Sequence, residues 1–448
     1  MHNNNQNFQL IDIIKKLRKP AGDDPKFSNP QSILENYNSF IKSVHNSYKE
    51  IHFLILMQMI EIEKKLKEFK RVKSNKHIVQ LLKFNMAIYR RINDSIAWLM
   101  LSKQRHILKR LCFYRNRGFL IDQNPDSILE TLAELNSDPF SLAIWTDATT
   151  FIDVGDIFMV NKLKGDVRFI EVKEGKVNEA MIPYTEKCDR ALYLFLQKYG
   201  EKGKQQLIRY AKQMKKDTQV IDIIKKEEGI DPLTGLDIKV SESITKDEYY
   251  DQTLNNGIDR LEKRDESILS IDNCLWILIT KKLYSLCELQ KRIKGILENG
   301  SHKESLIWQN KMFNFELPYP LFSLQEGLNN KISMPIFLRD IKDEYIEEII
   351  NGKLKIFLFF DWYNFGKIIE SCGGKLIWSS IKLGRREKTK KKEYRSFILS
   401  DQIPILKVGK NEIYLSGSHL IKMIFDGIRP RVAAAQLIEA YRGIGNIV

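Results

Sequence analysis

Between residues 31 and 115 the apolar positions recur at a spacing close to 3.6. Ile33, Tyr37, Phe40, Ile41, Val44 and Tyr48 open the series, and Ile51, Leu54, Leu56 and Ile60 carry it on to about residue 69. That period lines one face of a helix. A break near Ser74 and Asn75 precedes a second helical stretch, 77–114, so the segment predicts two or three long antiparallel helices. After Gly118 the pattern changes. Pro125, Asp126 and Ser127 start a helix through Glu130 and Leu135. Short apolar runs at 141–147, 151–160 and 167–173 read as strands, the last two joined by a turn holding Lys162, Lys164 and Gly165. A further helix is predicted over 202–216.

The remainder is mixed. Gly229, Pro232 and Gly235 mark loops, 249–263 and 283–297 read as helices, and 268–279 reads as one buried strand. Beyond Pro318 and Pro320 the pattern is α+β. Ile336 and Phe337 begin a strand, 343–350 is a helix, and 354–360 is a strongly apolar strand with 375–381 and 403–408 as its partners. Ile413 and Tyr414 precede a helix from about Ser418. Residues 1–30 hold Pro20, Gly22, Pro25 and Pro30 and read as loosely ordered, except for a short helix at 11–17. The expected division is therefore 1–30, 31–118 (helical), 119–310 (α/β) and 311–448 (α+β). A chain of 448 residues is too long for one core.

Charge changes the picture. The formal net charge is +15, an excess that favours a polyanionic partner, nucleic acid before a membrane surface. The most apolar stretch, 51–60, is far shorter than the ~20 residues of a membrane span, and the polar start is no secretory signal. The five cysteines include no CxxC pair, so neither a disulfide framework nor a structural zinc site is expected. Buried thiols in a reducing cytoplasm fit.

The chemistry gathers in the run from Phe151 to Lys176. Glu171 and Lys173 are two apart, and alternation along a strand puts both on one face. A hairpin brings Asp156 alongside, and Gly155 before it tolerates a close backbone approach. Asp153 falls on the opposite face of a straight strand. Two carboxylates suit a hard divalent ion that keeps open positions for a phosphate oxygen and a water. Lys173 can orient or deprotonate that water, or stabilise charge on the phosphoryl oxygens. The plain alternative is a surface ion pair between Glu171 and Lys173. In the helix at 202–216, Gln206 and Tyr210 share a face, as do Gln205 and Arg209.

Gly155-Asp156, Glu171-Val172-Lys173, and Gln206 with Tyr210, in this order, resemble the motifs of the PD-(D/E)XK nuclease superfamily, especially its RecB-like branch. The resemblance covers roughly residues 119–216. It implies an α/β core with a central mixed sheet flanked by helices, dependence on Mg²⁺ or Mn²⁺, and hydrolysis of nucleic acid, DNA ahead of RNA. It implies that Asp156 and Glu171 bind the metal, that Lys173 is the catalytic lysine, and that Gln206 and Tyr210 position substrate or support the site. The sequence departs from the pattern in having no His between residues 107 and 155 to act as upstream ligand. Glu130 or Glu134 is the acidic alternative, and Glu134 is the candidate. Bacterial nucleases of this plan often serve in restriction or phage defence, and many dimerise, which leaves homo-oligomerisation open.

Cations also crowd residues 384–395, where Arg385, Arg386, Lys388, Lys390, Lys391, Lys392 and Arg395 read as a loop able to grip phosphates. With Arg209 these are the candidate nucleic-acid contacts. The run 359–363 offers aromatics for stacking, although core packing fits it better. A rival reading is a binding or interaction protein that keeps a nuclease fold without cutting.

Overall fold

A computed structural model describes residues 3–69, 75–103, 105–112, 117–172, 248–298, 321–389 and 397–442. Between these it adds residues 197, 201, 205, 208, 219–223, 226, 228–230, 237–239, 304–305 and 307–308. The chain forms two compact units, Lys15–Val240, and Met1–Ile14 with Ser241–Val448. The division thus falls near residue 240, and the helical stretch shares a unit with the first strands.

The N-terminus is more regular than expected. Helix α1 (Asn3–Arg18) extends well beyond 11–17 and buries Leu10, Ile13, Ile14 and Leu17. Helix α2 (Pro30–Glu35) starts on a capping box between Asn29 and Ser32. The long period then folds as α3 (Tyr37–Phe69) and α4 (Lys76–Met100), followed by α5 (Arg105–Leu111). Helices α3 and α4 run antiparallel, because His52 meets Asn93 while Glu63 meets Arg90. Their facing stripes bury Ile51, Ile55, Met59 and Ile62 against a core shared with Ile92 and Ile96. No helix among the described residues is long and apolar enough to cross a membrane.

Helix α6 (Pro125–Leu135) begins on Pro125 and packs Ile128 and Leu132 inward. Strands β1 (Ser141–Trp145), β2 (Ile157–Asn161) and β3 (Asp166–Ile170) form an antiparallel meander in which Trp145 pairs with Ile157, and Ile157 with Ile170. Strand β2 is buried throughout, whereas β3 is half-exposed. Stacking of Phe158 on Phe169 at 5.0 Å stabilises the hairpin by ~1 kcal/mol. Two expected strands are shorter than the sequence suggested. Residues 151–156 form a loop, and β3 ends at Ile170, before Glu171. Gly229, expected in a loop, sits in β4 (Glu228–Ile230), which pairs with β5 (Asp237–Lys239).

In the second unit, α7 (Asp251–Asp259) leads to a hairpin of β6 (Glu266–Ile271) and β7 (Leu275–Thr280). The apolar run at 268–279 is therefore two strands. Asp272 and Asn273 turn it with φ of 50° and 57°, left-handed values that Asp and Asn tolerate. Then come α8 (Leu286–Glu298), β8 (Leu321–Ser323), α9 (Asp343–Ile350) and β9 (Lys355–Phe360). The four strands lie in the order β6-β7-β9-β8. Ile336–Leu338 is a 3₁₀ turn, correcting the strand expected there. After α10 (Trp362–Ser371), strand β10 (Lys375–Trp378) leads to α11 (Ile381–Thr389). Strands β11 (Pro404–Val408) and β12 (Asn411–Tyr414) pair with β10 in a separate sheet, so β10 and β11 join each other and not β9. Helices α12 (Gly417–Ile424) and α13 (Pro430–Arg442) close the chain's described part. The protein is mixed α and β, and every strand pairing among the described residues is antiparallel, where a mixed sheet was expected.

Candidate active site

The row beyond the last pair of the β2–β3 hairpin holds Asp156 and Glu171. Gly155 turns the chain into this row with φ of +62°. A Cβ there would meet Phe169 Cβ at 3.1 Å and the Ile170 backbone at 3.3 Å, so the close approach needs glycine. The Asp156 amide donates to the Ile170 carbonyl at 2.9 Å, and Asp156 Oδ2 accepts the Val172 amide at 2.8 Å. Asp156 thereby grips the residues on both sides of Glu171. Glu171 itself is half-buried, with Oε1 out of contact with solvent.

On the other side, Thr146 follows β1 and closes the row. Its amide donates to the Asp156 carbonyl at 2.9 Å, and its hydroxyl donates to the Gly155 carbonyl at 2.6 Å. Thr146, Asp156 and Glu171 thus succeed one another across three strands at one end of the meander.

The loop at 146–153 is held from beneath by buried charge. Arg117 donates to the carbonyls of Thr146 (2.7 Å) and Ile152 (2.6 Å) and pairs with Asp147 (3.1 Å) and Asp153 (2.8 Å). Arg90 on α4 donates to the carbonyls of Asp147 and Thr149. Asp94, paired with Arg91 at 2.8 Å, accepts both the amide and the hydroxyl of Thr150 at 2.6 Å. Buried charges persist where they are paired and hydrogen-bonded. Asp147 and Asp153 are consumed by Arg117 and are structural acids. Of this set the sequence had singled out only Asp153, as an acid on the opposite face of a straight strand. The available signal was Arg90-Arg91-Ile92-Asn93-Asp94, a charged run inside an otherwise apolar helical stripe.

His52 completes the support. Its Nε2 accepts the Trp145 amide at 3.0 Å, so Nδ1 carries the proton and donates to Asn93 at 2.8 Å. Burial, opposed in part by the Asn93 hydrogen bond, lowers its pKa to about 4. Burial likewise lowers His45 to about 4, with Lys49 adding to the shift.

The remaining predicted residues separate into three groups. Glu134 is exposed at the C-terminal end of α6. The turn after it is tied to the opposite end of the meander, because Asn136 bonds Ala143 and Asp138 bonds Ser141 and Asn161. Glu134 is therefore not brought to Asp156, and Glu130 on the same helix is exposed. Lys173, Gln206, Arg209, Tyr210, Lys390, Lys391 and Lys392 lie outside the described residues. Arg385, Arg386 and Lys388, expected in a loop, lie exposed on α11 in the other unit.

Asp156 and Glu171 are the two carboxylates this row brings together, oxygen donors of the kind a hard cation takes. Among the described residues no three His, Cys, Asp or Glu side chains converge as a metal site. Of the cysteines described, Cys112 and Cys274 are buried, Cys372 is half-buried and Cys287 is exposed, so the expectation of uniformly buried thiols fails at Cys287. Compared with protein-family models, with curated proteins and with solved structures, the chain matches none.

Proposed function

We propose that the protein is a metal-dependent nuclease whose centre is built on Asp156, Glu171 and Lys173. The observation that carries this reading is the row itself: Asp156 is locked beside Glu171 by bonds to Ile170 and Val172. Helix α6 and the antiparallel meander follow in the order read from the sequence, with the acids at one end of the second and third strands. Asp156 and Glu171 would hold Mg²⁺ or Mn²⁺, hard ions that prefer carboxylate oxygens. When bound, such an ion activates water and neutralises phosphate charge. The Val172 amide holds Asp156 Oδ2 in place, so the carboxylate is oriented before any ligand arrives. The buried arginines beneath the loop keep the row rigid. Lys173, two residues beyond Glu171, would orient the nucleophile or stabilise charge on the phosphate. The net charge of +15 and the exposed cations of α11 suit a nucleic-acid substrate, with DNA preferred.

The test is cleavage of supercoiled, linear and single-stranded DNA, and of RNA, with Mg²⁺ or Mn²⁺ and a chelator control. Wild type is compared with Glu171→Gln and Lys173→Ala. Metal-dependent cutting that both substitutions abolish supports the assignment, and cutting that survives both sinks it. Wild-type binding without any cutting would favour a protein that only binds nucleic acid.

A further inference from the structure

Trp308, Tyr363 and Trp378 gather beside the second sheet of the Ser241–Val448 unit. The Trp308 ring lies 5.7 Å from Tyr363 and 6.4 Å from Trp378, centroid to centroid. Trp378 ends β10 and meets Trp362 edge-on at 5.4 Å. Trp362 is only 2% exposed and is the core ring of the cluster. Trp308, Tyr363 and Trp378 are each half-buried around it. Two segments of the cluster are tied together: buried Ser305, three residues before Trp308, donates to Asp361 at 2.7 Å, and Asp361 caps α10 just before Trp362 and Tyr363. An apolar core has no need to leave three large rings at its rim.

Cations border these rings. Lys367 stands 4.3 Å from the Tyr363 centroid. Helix α11 starts three residues after Trp378 and exposes Lys382, Arg385, Arg386 and Lys388. Two acids share the surface. Asp401 meets Arg385 at 3.0 Å and Lys388 at 3.2 Å, and Glu304 lies 3.7 Å from Lys367 and accepts the Tyr363 hydroxyl at 3.1 Å. These pairs are exposed, so a phosphate can exchange with the carboxylate.

Rings that meet base faces, beside cations that follow phosphates, form the surface single strands require. A duplex hides its base faces and gains only the charge contacts. We propose that Trp308, Trp378 and the cations of α11 form a binding site for single-stranded nucleic acid. This deepens the proposed function by naming the form of the substrate. It rests on nucleic acid being the partner, and it holds whether or not Asp156 and Glu171 cut.

The test is fluorescence anisotropy on the full chain carrying Glu171→Gln, in chelator, so that binding is read without cleavage. The probes are a labelled oligothymidylate, an oligouridylate and a DNA duplex of equal length. The single strands are expected to bind roughly tenfold or more tighter than the duplex. The tighter of the two names DNA or RNA as the source. Trp308→Leu should weaken single-strand binding about 5- to 100-fold and leave the duplex unchanged, while Trp308→Phe restores much of it. Arg386→Ala, a surface change that spares the fold, should reduce the salt slope of single-strand binding by about 0.7. Equal affinity for duplex and single strand would overturn the proposal. So would a folded Trp308→Leu protein, judged by its thermal transition, that binds single strands as wild type does. Loss of cleavage in the nuclease assay, with single-strand binding intact, would count against the cutting centre and leave this site standing.

Discussion

Asp156 Oδ2 accepts the Val172 amide at 2.8 Å, so in the proposed site one carboxylate both holds the hairpin end and would hold the metal. The two jobs separate by substitution. In Asp156→Asn the amide oxygen still accepts the Val172 amide, and only the charge is lost. We expect metal-dependent cleavage to fall on the order of a hundredfold or more, with the thermal midpoint nearly unchanged. Asp156→Ala should lose the same activity and also about 1–2 kcal/mol of stability, because the Val172 amide loses its partner. Cleavage rates and denaturant unfolding on the two variants check this. An Asn variant that cuts normally would remove Asp156 from the site.

His52 makes stability depend on pH. Its pKa falls from 6.5 to about 4 on folding because burial disfavours the charged ring. The folded state therefore holds His52 neutral. Its contribution is complete above pH 6.5 and is lost as pH falls toward 4, where the folded protein takes the proton too. The loss approaches ~3 kcal/mol across that window, at about 1.4 kcal/mol per pH unit. His45 acts in the same direction. Denaturant unfolding at steps between pH 7 and 4 should steepen in this range, and His52→Gln should flatten the profile. An unchanged slope in the variant would show that His52 titrates normally.

The periodic elements were legible because each is a local pattern. The helical period gave α3 its extent, although Tyr37 and Leu54 in the series read from it are exposed and the buried face is Ile51, Ile55, Met59 and Ile62; the turn with Gly165 between apolar runs marked the β2–β3 hairpin. The row of Asp156 and Glu171 followed from that hairpin. What could not be read is what distant segments supply. Arg90, Arg91 and Asp94 look like a polar helix face until the loop at 146–153 provides their partners. Likewise nothing local tells β10 to pair with β11 in place of β9. The run at 268–279 was misread for another reason. Its turn uses Asp272 and Asn273, a left-handed pair without the glycine or proline that usually marks one.

A buried ion pair also anchors the Ser241–Val448 unit. Arg339, fully buried, pairs with Asp251, donates to the Phe425 carbonyl at 3.2 Å and stacks 5.1 Å over Tyr250. Replacing it by methionine leaves the Asp251 charge buried without its counterion. Breaking such a pair costs ~3–5 kcal/mol, whereas removing both charges costs much less. We therefore expect Arg339→Met to be more destabilising than Arg339→Met with Asp251→Asn. Denaturant unfolding of both proteins measures the difference. A double variant worse than the single would show that the pair itself, and not the stranded charge, sets the stability.

Gly384 is where helix α11 touches the turn at 399–402. A Cβ on Gly384 would lie 1.9 Å from the Asp401 carbonyl oxygen, a backbone atom. The turn has little room to yield. Leu399 and Gln402 exchange hydrogen bonds of 2.9 Å, and Ser400 and Asp401 sit at φ of 46° and 59°. Gly384→Ala should therefore push α11 off the turn at a cost of ~1–3 kcal/mol and displace its exposed cations. Hydrogen exchange in α11 should rise, and single-strand affinity should fall as the cations lose their fixed placement. Asp401→Asn tests the opposite change. It keeps the turn but releases both cations, so binding should tighten and its salt slope should steepen by up to about 1.4, about 0.7 for each cation. Opposite shifts in the two variants separate placement from charge. Unchanged exchange in Gly384→Ala would mean that α11 is held elsewhere.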